Sequence, residues 1–419
     1  MLRFVILLLL VLGCVGRTRG QGPEVRRLAI QSEITDVQPM TGIVLWHDNA
    51  KLNSYSNSIA LEYRYWGYNE IVDAEGRYDF ANFEDWLDDV ASRNHQAVVR
   101  FYFCYVGQPT TVPKFLIDNP EYQETIGVSE EQETHFCDWR YPGLQQFTLD
   151  FYTRFAKRYD DDPRIAFLQT GFGLWAEYHI YSGPKVMGRT FPGKPFQRKF
   201  LNHLDQQFER LPWSISIDAA DSDYTPIVDD PSLLALDFGV FDDSFLCKPH
   251  PKENAVNWRE LGKDRWQRQP GGGEFSYYTR RDQREALSRE GPHGIPFEAA
   301  AKQFHLSYII GNDQTQFQTA ARIRNASMAT GYRFRLLSAV VEGGSLRLQV
   351  TNEGVAPIYR DAFFAAGRQR TKGSLRGLLP GQRREYVIDN VSEEDLQSLT
   401  IQSDEILPGQ SIQFSADLN

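Results

Sequence analysis

A chain of 419 residues with 41% hydrophobic content can build one large domain and a smaller companion around a sizeable core. A net charge of −10 with no basic run excludes nucleic acid and anionic membrane surfaces as fitting partners. Aromatic residues make up 13% of the chain, and many fall near predicted strand ends, where flat apolar faces suit sugars; most of the remainder belong to the core.

Residues 1–20 read as a signal peptide. Arg3 precedes an apolar run from Phe4 to Gly16 that is too short to span a bilayer, and Arg19-Gly20 offers a cleavage point. Val11-Leu-Gly-Cys14 also fits a lipobox, which would lipidate Cys14 and anchor the protein at a periplasmic or cell surface. On either reading the chain is exported, and no later stretch is long and apolar enough for a membrane helix. Cys104, Cys137 and Cys247 remain after signal removal. They allow one disulfide with a thiol left over, and they form no metal-ligand spacing, so neither metal nor cofactor is implied.

From residue 21 to 330, strand and helix signals alternate. Residues 42–47 read as a short buried strand. Residues 58–66 read as a second, whose period of two sets Glu62, Arg64 and Trp66 on one side. Phe83, Trp86, Leu87 and Val90 form the core stripe of a helix. Residues 97–103 make a third strand. The loop over 107–143 is too long for a plain connection and is expected to be functional or partly ordered. A helix over 144–159 ends at Asp160-Asp-Asp-Pro163. The stretch 165–179 starts as a buried fourth strand and ends in Glu177, flanked by Trp175, Tyr178 and His179. A helix at 195–211, strands at 213–218 and 234–241, and a seventh strand within 265–276 follow. A helix at 296–303, an eighth strand at 304–310 and a helix over 314–329 complete the series. Eight strands interleaved with helices predict a (β/α)8 TIM barrel. A doubly wound open sheet is disfavoured because no Gly-rich nucleotide loop follows the first strand. Residues 331–419 change texture to six short strands separated by Gly-Gly, Asn-Glu-Gly and Pro-Gly turns, a small β-sandwich.

In such barrels the site lies at the carboxyl ends of the strands. Glu177 closes the predicted fourth strand and Glu274 the seventh, on opposite sides of the mouth. Paired carboxylates about 5 Å apart serve retaining glycoside hydrolysis, one as nucleophile and one as acid/base. Gly271-Gly-Gly273 reads as a sharp turn beside the substrate. Arg64, near the end of strand two, would keep the nucleophile ionised. Aromatic walls from Trp175 and Tyr178 would raise the pKa of Glu177, the acid. Trp66, His179 and Tyr277 complete the expected sugar-contacting set, with His179 also readable as a structural hydrogen-bonder. Asp221-Ser-Asp223 and Asp242-Asp243 read as solvated loops, lacking an EF-hand's spacing.

Leu61-Glu-Tyr-Arg-Tyr-Trp-Gly-Tyr-Asn-Glu-Ile71, Glu75-Gly-Arg-Tyr-Asp-Phe80 and Arg158-Tyr-Asp-Asp-Asp-Pro-Arg-Ile-Ala166 resemble segments of β-galactosidase-like barrels. Gly171-Phe-Gly-Leu-Trp-Ala-Glu-Tyr-His179 with Asn352-Glu-Gly-Val-Ala-Pro357 is similar to uncharacterised secreted proteins that join a glycosidase-like domain to a β-sandwich. The resemblance implies a retaining (β/α)8 glycosidase, with Glu177 at the acid/base position, Glu274 at the nucleophile and Arg64 at the nucleophile-holding arginine. Where that clan has Asn before the acid/base, contacting the sugar 2-hydroxyl, this chain has Ala176. The leading expectation is an exported hydrolase of a β-linked carbohydrate. The rivals are a catalytically inactive carbohydrate-binding barrel and a surface scaffold without a concave pocket.

Overall fold

The computed structural model describes residues 25–419; the predicted signal peptide and Cys14 lie outside them. Eight parallel strands close a barrel: β1 (Gly42–Trp46), β2 (Leu61–Gly67), β3 (Gln96–Tyr102), β4 (Ile165–Gln169), β5 (Trp213–Ser216), β6 (Gly239–Phe245), β7 (Gly271–Phe275) and β8 (Tyr308–Ile310). Each pairs with its successor, and β8 returns to β1. The helices pack outside. Ala81–Ser92 buries Phe83, Trp86, Leu87 and Val90, the stripe legible in the sequence. Pro142–Tyr159 starts on a proline, where the missing N–H costs nothing, and buries Phe147, Phe151, Phe155 and Tyr159. The expected helix over 314–329 is broken into Gln314–Phe317 and Ala320–Met328, the second capped by the Thr319 hydroxyl, which accepts from the Arg322 N–H. The long loop after β3 is ordered: a helical turn, Lys114–Ile117, precedes a hairpin of Thr125–Ser129 and Gln132–Phe136.

Several strand boundaries differ from expectation. The fifth strand, expected over 213–218, stops at Ser216. The sixth, expected over 234–241, runs Gly239–Phe245 after a helical turn at Pro231–Leu234. The eighth, expected from 304, starts at Tyr308 because Phe297–Phe304 is helix. Two more bear on the site. The fourth strand ends at Gln169, so the last eight residues up to Glu177 are loop. The seventh begins at Gly271, and Arg265–Gln267 is a 3-10 turn. The triple glycine is therefore extended strand, not a turn. A Cβ on Gly272 would meet the Tyr308 ring at 2.2 Å, and one on Gly273 would meet the Asp242 carbonyl oxygen at 2.1 Å. Close packing inside the barrel, not chain reversal, demands glycine there.

Beyond residue 331 the chain forms two antiparallel-rich sheets. One takes Phe334–Glu342, Ser345–Asn352, Arg383–Ile388 and Phe414–Leu418; the other takes Phe363–Ala366, Gln369–Arg370 and Leu399–Gln402. The larger sheet also recruits the N-terminal strands Val25–Arg27 and Ile30–Ser32, which pair with Phe334–Glu342 and Phe414–Leu418. The sandwich is thus built from both ends of the described chain.

It also shares one hydrophobic core with the barrel interior: Val44, Leu61, Val98, Phe167 and Tyr308 cluster with Tyr332, Phe334, Leu348 and Phe364. Polar contacts reinforce the join. The buried Arg360 guanidinium donates to the Ile165 carbonyl at the start of β4, and the Tyr359 hydroxyl donates to the Trp266 carbonyl at 2.7 Å. The sandwich therefore covers the amino ends of the strands and leaves the carboxyl ends open. Truncation at residue 331 is expected to strip that shared core and leave the barrel aggregating with strong dye binding to exposed apolar surface; a soluble, cooperatively unfolding barrel would contradict the shared-core reading.

Candidate active site

A cavity of about 770 Å³ opens at the carboxyl ends of the strands. Trp46, Tyr65, Tyr105, Trp175, Tyr277 and Tyr278 contribute aromatic wall, and Glu177, Asp218, Asp243 and Glu274 contribute acid. Glu130, at the tip of the long-loop hairpin, reaches the rim and accepts from the Tyr181 hydroxyl at 2.5 Å. The length of that loop was the only sequence signal of its part in the site.

Glu177 arrives by a folded-back loop. After Gln169 the chain runs Thr-Gly-Phe-Gly-Leu, and Leu174 bridges to Cys104 beyond β3. Trp175 and Ala176 then take left-handed conformations, φ 59° and 56°. For non-glycine residues that costs about 1–3 kcal/mol each, so the surroundings must hold the loop. They do so through backbone bonds: the Trp175 N–H donates to the Cys104 carbonyl at 3.1 Å, and the Gly173 N–H to the Glu177 carbonyl at 2.8 Å. Gly171 and Gly173 make the fold-back sterically feasible, since a Cβ at either would lie 2.1 Å or less from a backbone oxygen. Glu177 is thereby buried, with its side chain 11% exposed, and it lines the cavity. Burial, and then the negative charge of Asp243, raise its pKa to about 8.

Glu274 stands near the end of β7, with its Oε1 buried and without a hydrogen-bond partner. Burial and Asp243 push its pKa well above the usual carboxylate range, against the pull of Arg100. Glu177 and Glu274 thus share one cavity and one charged neighbour.

The arginine at the centre is not the expected one. Arg64 faces away from the cavity: its guanidinium lies 3.6 Å over the Trp66 ring and pairs with Glu70 at 3.0 Å. Trp66 packs in the outer core against Phe83 and Trp86 and is fully buried. The alternation along β2 was read correctly, but the site-facing parity belongs to Tyr63 and Tyr65. The central guanidinium is Arg100 of β3, fully buried, bound to Asp243 of β6 through Nη1–Oδ2 at 2.7 Å and Nη2–Oδ1 at 3.0 Å. It also donates to Gln169 Oε1 at 2.8 Å, the Tyr65 hydroxyl at 3.2 Å and the Trp175 carbonyl at 3.1 Å. A lone charge inside the apolar run Ala97-Val-Val-Arg-Phe-Tyr was the available signal.

Other expected contacts divide. Trp175, His179 and Tyr277 line the cavity. Tyr178 is fully buried against Phe172 and Phe191, so it is core and does not wall Glu177. Asp242 and Asp243, read as solvated loop, lie in β6: Asp242 accepts from Asn254 at 2.7 Å outside the barrel, and Asp243 turns inward to Arg100. Asp218, unremarked in the sequence, lies in the turn after β5 and pairs with His179. Glu177, His179 and Asp218 offer three donor atoms within 4.8 Å of one another. The imidazole sits between two carboxylates, one at each ring nitrogen, and this suits an ion-paired chain better than a shared metal. The Cys104 and Cys137 thiols lie 3.8 Å apart behind this loop, while Cys247 is separately buried.

The fold defines a class, a (β/α)8 barrel with an appended β-sandwich and a carboxylate-rich, aromatic-walled mouth. No protein-family model matches the chain, and no curated protein does. Among solved structures it is similar to the glycoside hydrolase family 30 subfamily 8 xylanase Xyn30A from Clostridium acetobutylicum, with 13% identity and TM-score 0.37, over 85% of this chain and 97% of that one. It is similar to a GH30 endoxylanase from Clostridium papyrosolvens, with 10% identity and TM-score 0.39, over 91% and 95%. A third is CbXyn10B in native form, with 10% identity and TM-score 0.40, over 65% and 84%. Likeness at this level carries no residue roles; the barrel rests on its own strand pairing.

Replacing Arg100 with Leu strands Asp243 without its partner and is expected to cost about 3–5 kcal/mol in urea unfolding. Arg64→Ala loses only a half-exposed pair and a stacked contact, about 1 kcal/mol or less, and should leave any activity unchanged. A larger activity loss in Arg64→Ala than in a folded Arg100 variant would reverse the assignment.

Proposed function

We propose that the chain is an exported retaining glycoside hydrolase acting on a β-linked carbohydrate. The observation that carries the reading is the joint placement of Glu177 and Glu274 in one aromatic-walled cavity at the carboxyl end of the barrel. In the first step Glu274 attacks the anomeric carbon while Glu177 gives its proton to the leaving oxygen. In the second, Glu177 takes a proton from water, which displaces Glu274. A carboxyl that is protonated near neutrality, as burial makes Glu177, is fit for the first role. Tyr65, Trp175 and Tyr277 supply faces for sugar rings. The Arg100–Asp243 pair sets the local charge, so Arg100 replaces Arg64 as the supporting arginine. Export rests on residues 1–20, with Cys14 as a lipid-anchor alternative.

A second reading, an inactive carbohydrate-binding barrel, has specific support. Burial and Asp243 press Glu274 toward its neutral form, whereas a nucleophile must be ionised, and Ala176 supplies no side-chain contact to a 2-hydroxyl.

The experiments are a panel of aryl β-glycosides and a 2-fluorosugar trap. Expected are turnover and a covalent adduct on Glu274; no turnover together with no adduct sinks the hydrolase reading. Glu177→Ala should lower kcat by about 10²–10⁴-fold with poor leaving groups, and azide should restore part of it. The pH profile has a defined sign. Glu177 acts protonated, so kcat/KM should fall as pH rises through about 8. Glu274 acts ionised, and its raised pKa should bring the acidic limb up toward neutrality, placing the optimum on the alkaline side of typical carboxylate pairs.

A further inference from the structure

Glu177 has two jobs that need opposite forms, acid in the first step and carboxylate base in the second. Burial and Asp243 both favour the neutral form, and unopposed they would leave the second step without a base. The opposing group is in place. His179, two residues on, sets Nε2 3.0 Å from Glu177 Oε2 and Nδ1 2.9 Å from Asp218 Oδ1. The Nε2–H is not aligned on the Glu177 oxygen as a hydrogen bond, so the contact acts through charge. Asp218 is fixed from β5: it accepts from the Ser216 hydroxyl at 2.8 Å, and the same Ser216 oxygen accepts from the Tyr178 N–H at 2.9 Å. One serine therefore ties the Glu177 loop and the carboxylate behind His179 to a barrel strand.

We propose that Asp218, by holding His179 as an imidazolium against Glu177, is the positioning residue that lets Glu177 alternate between acid and base; the proposal rests on the hydrolase reading above. His179 keeps its proton throughout. In the first step the bond from the anomeric carbon to the leaving oxygen breaks, its electron pair takes the Glu177 proton, and a Glu274 oxygen bonds to that carbon. The carboxylate left on Glu177 then faces a cation. In the second step water gives Glu177 a proton, its oxygen bonds to the carbon, and the electron pair returns to Glu274.

Charged groups from several elements surround this pair, among them Glu130 of the hairpin, which lines the same cavity and accepts from Tyr181. Asp243 from β6 and Glu274 from β7 face Glu177, with Arg100 of β3 beyond Asp243. The Tyr181 ring lies 5.4 Å from the His179 ring, and Tyr278 sits within range of both His179 and Asp218. Among these neighbours Asp218 is the standing anion in contact with the imidazole, and Glu177 becomes a second one whenever it has given up its proton. Against burial, which lowers it, the Asp218 carboxylate first and then Glu177 hold the His179 pKa well above the usual histidine range.

Ring-nitrogen NMR of the full chain, with His179→Gln to assign the signal, tests this without turnover. His179 is expected to stay protonated well above the ordinary imidazole midpoint, and in Asp218→Asn its midpoint should fall back toward the free-imidazole value of ~6.5 or lower. In the same variant Glu177 loses a cationic neighbour. The alkaline limb of kcat/KM should move up by about one pH unit, and the second step should slow about tenfold, so that glycosyl-enzyme on Glu274 accumulates with a dinitrophenyl glycoside in intact-mass measurements. Asp218→Glu should restore both. His179→Gln provides the same kinetic readout should Asp218→Asn not fold. A His179 that titrates near ~6.5 in the unchanged protein, or variants whose limb and adduct level do not move, overturns the proposal. Absence of turnover in the unchanged protein overturns the hydrolase reading and the catalytic role with it; the NMR titration separates that outcome from a missing ion chain.

Discussion

The buried ion pair between Arg100 and Asp243 is the constraint on which the site is built. A guanidinium with no solvent exposure inside a barrel must be compensated in full, and Asp243 compensates it with two hydrogen bonds. The other donors of Arg100 reach Gln169 at the end of β4, Tyr65 on β2 and the Trp175 carbonyl in the Glu177 loop. One side chain thus fixes the separation of β3 and β6 and helps hold the strained residue that precedes Ala176. Gln169 extends the network, donating to the Tyr308 hydroxyl of β8 at 2.7 Å. That ring is the one that excludes a Cβ at Gly272. The packing that needs a glycine in β7 and the charge that organises the mouth belong to the same interior layer.

The pair also governs the electrostatics. Asp243 is close enough to Glu177 and Glu274 to raise the pKa of both, after burial itself. Two carboxyls pressed toward neutrality by a third that an arginine retains form a coupled system, in which proton affinities belong to the set more than to its members. His179 and Asp218 add a cation and its anchor on the far side of Glu177. The mouth therefore balances charges across β3 to β7 instead of isolating one acid and one base.

The sandwich contributes at a distance. It covers the amino ends of the strands and shares their core, and the barrel interior opens at the acidic mouth. Its sheet takes strands from residues 25–32 as well as from beyond 331, which ties the start of the described chain to its end.

By itself the sequence determined the architecture, and it singled out two glutamates that the fold brings to one cavity. Eight buried strand signals, the helical stripe at Phe83, Trp86, Leu87 and Val90, and the turn-rich segment after 331 are local patterns, and burial periodicity is a local property. Glu177 and Glu274 were legible because each lies at or beyond the carboxyl end of such a strand. What only the tertiary structure decided was which face of each strand looks inward, and which distant residues meet there. A shift of one position exchanges Arg64 and Trp66 for Tyr63 and Tyr65, and both parities in β2 carry aromatic and polar residues, so no local pattern separated them. Arg100, Asp243 and Asp218 come from three different strand regions. Their meeting depends on barrel closure, and so did the identity of the arginine at its centre.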